Sequence, residues 1–142
     1  MASFSGIIAF IITTPISFIL THYKLISRGF ADFAAMISLQ RFPETLAEIA
    51  FGVLVEAMTS AVWGVVFAYI VLVIGSKHLW FKGLVFAGLF WYLYVLMIFF
   101  MQEMNFNVQT AFLNGVLAGF WGTVMAAAFG WLQTPNSEHP KW

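Results

Sequence analysis

Four stretches of this chain are each long and apolar enough to cross a bilayer, and that limits the possible folds more than any other feature. Crossing about 30 Å of hydrocarbon takes about 20 helical residues. The runs from about Phe4 to Tyr23, Leu46 to Gly75, Leu79 to Met101 and Val108 to Leu132 all meet that length. Lipid offers backbone N–H and C=O groups no partner, so each run is predicted to be a helix. The expected fold is all-α: a single integral membrane domain over 1–142, with four transmembrane helices and a polar tail from 133 to 142. An even number of crossings places both ends on one side.

Composition agrees. Only 8% of the 142 residues are charged, against about 25% in a soluble globular domain, and the mean hydropathy is +0.92. Net charge is zero, so there is no basic field to attract nucleic acid. Cysteine is absent, which removes disulfides, thiolate nucleophiles and cysteine-ligated metals and is compatible with either redox compartment. Nothing basic precedes "FSGIIAFIITTPISFIL" and no A-x-A-like site follows it. It reads as a retained helix, with Pro15 marking a kink, and not as a signal peptide.

Between the first two spans, Ile26, Phe30, Phe33 and Ile37 recur at helical spacing while Arg28, Asp32, Gln40 and Arg41 point elsewhere. That pattern predicts an amphipathic helix at the membrane surface over about 25–41; an ordered loop packed over the bundle is the alternative. Pro43 closes this segment. Thr45 and Glu48 then fit the S/T-x-x-E capping box, which gives Glu48 a local role at the start of the second span.

Orientation is close to balanced. Lys24, Arg28 and Arg41 fall on the side of the first connection, and Lys77, Lys82 and Lys141 on the side of the termini. Lys77 and Lys82 flank a very short loop, which favours cytoplasmic termini. The expected location is a cell membrane, of bacterial plasma-membrane type. Tyr23, Trp80 and Trp131 fall near helix ends, where an aromatic belt places them.

The second and fourth spans align without gaps. "LVEAMTSAVWGVVFA" (54–68) matches "FLNGVLAGFWGTVMA" (112–126), with Trp63-Gly64 on Trp121-Gly122 and Glu56 on Asn114. The first and third share "FSGII" against "FKGLV". This suggests a tandem repeat of two helical hairpins. It also defines faces: Gly52, Glu56, Ser60 and Gly64 on one helix, and Asn114, Gly122 and the neighbouring Gly115 and Gly119 on the other. Small residues let backbones approach, so these two spans are expected to pack through these faces, within the chain or between copies.

Glu56 is the one acid well inside a predicted span. It lies about 15 Å from the start of its helix, a turn or two below the headgroups. Three roles are open to it: a hydrogen bond to Asn114 across a helix pair, a proton or cation site, or a contact with a partner subunit, lipid or cofactor. His22, Glu103 and Gln109 collect near the same side as a candidate polar pocket. His22 and His78 fall on opposite membrane faces, which does not suit haem ligation. No zinc-protease, phosphate-loop or nucleophile-elbow motif occurs, so no catalytic, metal or cofactor site is expected.

"KGLVFAGLFWYLYVL" (82–96) and "NGVLAGFWG" (114–122) together resemble the YqhR-like small four-helix membrane proteins of Bacillus and clostridial relatives. The likeness covers most of the chain through motifs generic to apolar helices. It implies a four-helix membrane fold, and no functional residue carries over. The expected partners are the lipid bilayer and other membrane subunits or further copies. The expected function is that of a non-catalytic accessory subunit or scaffold. The alternative is a small oligomeric channel or transporter for a proton, cation or small solute, using the Glu56 face.

Overall fold

A computed structural model describes residues 2–100 and 108–133. Their regular structure is helical: α1 (Ala2–His22), α2 (Phe30–Leu39), α3 (Leu46–Ile74), α4 (Leu79–Phe100) and α5 (Val108–Gln133). α1, α3, α4 and α5 are long and apolar enough to cross a membrane, as the hydropathy predicts. Large apolar side chains such as Phe4, Leu54, Val73 and Phe112 cover the outside, as a lipid-facing surface requires. α1 runs unbroken through Pro15.

Local chemistry sets the ends of α3. The Glu48 amide donates to Thr45 Oγ1 at 3.3 Å, and the Glu48 carboxylate accepts from the amides of Glu44 and Thr45 at 2.8 and 3.2 Å. Arg41 also pairs with Glu48, a contact the sequence pattern did not announce. That bond holds the exposed Arg41 guanidinium above its ordinary pKa. At the far end, Gly75 adopts φ +82° and donates to the Val71 carbonyl. Lys82 Nζ donates to the Ile74 and Gly75 carbonyls at 3.1 and 2.6 Å. The last turn of a helix leaves such carbonyls without a partner, and Lys82 supplies one across the short connection.

The packing order is α3–α1–α5–α4, with α2 laid on α3. α1 is central because it carries a small side chain at every fourth position: Ser5, Ala9, Thr13 and Ser17, all buried. Ser5 and Thr13 hydroxyls donate to carbonyls of their own helix at 2.7 and 2.8 Å, so burying them leaves no donor unpaired. Both α3 and α5 pack on α1.

That order corrects one expectation. The small-residue faces of α3 and α5 do not pack on each other, because α1 stands between the two backbones. Gly64 and Ser60 instead meet α1 at Gly6, and Gly52 meets α2 at Ala31 and Ala35. On α5, Gly122 meets α4 at Gly83 and Ala87, while Gly115 and Gly119 accommodate Trp91 and Leu84. α3 and α5 meet through large side chains, such as Phe67 on Phe129 with ring centroids 5.9 Å apart.

The segment between α1 and α3 does hold a helix. α2 buries Ala31, Phe33, Ala34, Ala35 and Met36. Ile26 is also buried, and Phe30 and Ile37 are half-buried, so the predicted apolar stripe turns inward. Gln40 and Arg41 are exposed; Asp32 accepts from the Gly29 amide at 2.8 Å. Phe30 meets Trp91 and Phe33 meets Tyr94, so α2 reaches across from α3 to α4.

Candidate functional site

α3 and α4 follow one another in the chain, yet their backbones barely approach. The space between them is partly filled by aromatic rings. Trp63 lies 5.8 Å from Phe86 and 4.8 Å from Phe90, and Phe90 lies 6.0 Å from Trp121. What remains is a cavity of about 360 Å³. Val55, Glu56, Ser60 and Trp63 of α3 form one wall and Phe90 and Tyr94 of α4 the other. Ala118 and Trp121 of α5 lie behind, and Phe30, Ala34 and Ile37 of α2 close one end. Thr59, Leu93 and Met97 also line it and are exposed. The cavity therefore opens sideways, between α3 and α4.

Glu56 is the acidic group of this wall, and among the described residues no Lys, Arg or His lines the cavity. Its Oε1 accepts from Thr14 Oγ1 of α1 at 3.0 Å. Its Oε2 is buried and has no hydrogen-bond partner among the described residues. Thr14 is eight residues from the end of α1, which puts the pair about 12 Å below that end. A carboxyl group at that depth with one oxygen unmatched is costly unless something else supplies a donor.

Asn114 does not reach Glu56. It is fully buried and donates through Nδ2 to the Arg28 carbonyl at 2.9 Å, leaving Oδ1 buried without a partner among the described residues. Thr110, one turn earlier, accepts from the Ser27 amide at 3.0 Å. These two side chains staple the α1–α2 connection onto α5. The Glu56–Asn114 bond, one of the three roles open to Glu56, gives way to two separate polar contacts because α1 and its connection pass between the two residues.

The other residues of the predicted packing site divide accordingly. Ser60 is buried and lines the cavity; Gly52, Gly64, Gly115, Gly119 and Gly122 set helix approach. Two members of the predicted polar pocket fall among the described residues. His22 is exposed with its ring against Tyr23 at 5.5 Å. Gln109 lines a different hollow of about 300 Å³ with Thr21, Lys24 and Thr110. Glu103 lies outside the described residues. Sequence pattern did not single out Thr14, Thr110 or the Trp63–Phe90–Trp121 cluster as parts of a site. The fourfold spacing of small residues in the first span was the signal that could have put α1 at the centre; nothing in it singled out Thr14 as the partner of Glu56.

Fold and site together define a helical protein with four membrane-capable helices and a sideways-open apolar cavity carrying one carboxyl group. The chain belongs to DUF6789, a family of unknown function, whose family model matches residues 1–139. No curated protein and no solved structure matches it.

Proposed function

We propose that this chain is a non-catalytic multi-pass membrane protein that binds a small solute within the bilayer, as a carrier or as the solute-binding subunit of a membrane assembly. The observation that carries this is the Glu56 carboxyl group, half-satisfied by Thr14, in the wall of a 360 Å³ cavity open between α3 and α4. A carboxyl group serving only as glue between helices would be expected to satisfy both oxygens and to sit in a closed seam. Apolar pockets with one or a few polar groups are the usual form of small-molecule sites.

Two features support an assembly and the repeat. α4 packs chiefly on α5, and its outer face exposes Val85, Leu89 and Tyr92 as an apolar surface. The glycines that bring helices together also recur in both halves of the chain: Gly6 meets Gly64, and Gly83 meets Gly122. These are the positions that the aligned "FSGII"/"FKGLV" and "WG" pairs make equivalent, which supports reading the chain as two related hairpins with α2 inserted in the first. In this reading α2 lies near the membrane surface, and both termini are cytoplasmic.

The test uses the full chain in phosphatidylcholine nanodiscs and 4-phenylbutanol as a neutral probe, with empty nanodiscs as the partitioning control. Saturable binding that is lost in Thr59→Trp, which places a large side chain at the exposed rim, supports the cavity as the site. Uptake that is linear, or equal in the two proteins, overturns it. Because the chain has no cysteine, the single substitutions Ser76→Cys and Ser38→Cys report the orientation in intact cells: impermeant maleimide that labels Ser38→Cys and spares Ser76→Cys supports cytoplasmic termini, and the reverse overturns them.

A further inference from the structure

Resting on the solute-binding reading above, we infer that the cavity between α3 and α4 takes an organic ammonium ion: a protonated amine carried on an apolar body. Three observations converge on this class. The described lining supplies one carboxyl group and no basic side chain, so a cation meets a complementary charge and an anion does not. One Glu56 oxygen already accepts from Thr14, while the other has no donor among the described residues. An ammonium N–H supplies that donor once the Glu56 side chain rotates toward the cavity.

The remaining wall suits the same ligand. Trp63, Phe90, Tyr94 and Trp121 line the cavity, and aromatic faces attract organic cations most strongly where water is excluded. The apolar body would occupy the rest of the space, which Leu93 and Met97 open to the lipid side. A small hydrated metal ion fits poorly. Hard cations take six or more oxygen ligands, and the described lining offers few beyond Glu56, Ser60 and Thr59. The sideways opening also gives an amphiphilic amine a route from the membrane that a hydrated ion lacks.

The experiment measures binding of 4-phenylbutylamine and of its neutral counterpart 4-phenylbutanol to the full chain in phosphatidylcholine nanodiscs. Wild type is compared with Glu56→Gln and, as a variant that keeps the carboxyl group, Trp63→Leu. The amine is expected to bind at least about tenfold more tightly than the alcohol. That preference should vanish in Glu56→Gln and weaken in Trp63→Leu. Far-UV circular dichroism and thermal unfolding in the same nanodiscs show independently that each variant is folded. If amine and alcohol bind wild type equally, or the preference survives in Glu56→Gln, the ammonium assignment is overturned while the solute-binding reading stands. If neither binds saturably, both are overturned.

Discussion

Gly64 of α3 lies against Gly6 of α1 so closely that a Cβ on Gly64 would stand 2.9 Å from the Gly6 amide nitrogen and 3.2 Å from its Cα. Those atoms are backbone and cannot swing aside. Dispersion between closely approaching backbones is a main source of helix association in lipid, so this contact holds α1 on α3 and thereby holds Thr14 beside Glu56.

Gly64→Ala is therefore expected to destabilise the protein by about 1–3 kcal/mol, the usual cost of overpacking. Gly122→Ala, pressed against Gly83 and Ala87, should behave alike. Gly88 has open space where its Cβ would be, so Gly88→Ala should be neutral or mildly stabilising. Unfolding in mixed micelles by increasing SDS ranks the three; equal effects at all three positions would contradict the close approach.

Thr14→Val removes the hydrogen bond that Glu56 Oε1 accepts. A coupling of about 0.6 kcal/mol is typical of such bonds in membranes. A double-mutant cycle of Thr14→Val with Glu56→Leu should return a value of that order. Additive effects would mean that the two side chains do not interact.

Asn114→Ala frees the Arg28 carbonyl, and Thr110→Val removes the acceptor of the Ser27 amide. Each is expected to cost about 1–2 kcal/mol. The effect should be local: amide exchange should rise over residues 23–29 and stay unchanged in the middle of α4.

Thr45→Ala should cost about 1 kcal/mol as a lost helix cap. Arg41→Ala should cost less, because an exposed ion pair contributes little, and Arg41 is exposed. Thermal unfolding in one detergent compares them. A larger loss for Arg41→Ala would show that the ion pair, and not the cap, secures the start of α3.

The four long helices were legible from hydropathy to within a few residues. Their start and stop chemistry was legible in one place, the Thr45–Glu48 box. Both depend on residues close together in the chain. Partner choice was not legible in the same way. The small-residue faces of α3 and α5 were visible, but nothing in their spacing says whether two such faces meet each other or a third helix. Glu56 stood out as a charge in an apolar run, while its partner Thr14 lies 42 positions away and is an ordinary residue for a membrane helix.

By itself, then, the sequence determined the helical class, the number of membrane-capable spans and the presence of one carboxyl group well inside such a span, because lipid forces every backbone group in an apolar run to pair within that run. The tertiary structure decided that α1 sits between α3 and α5, that Glu56 bonds Thr14 and not Asn114, and that α3 and α4 part around a cavity. Those outcomes depend on how each helix is rotated about its axis and which backbones can approach, and both are set by contacts between residues far apart in the chain.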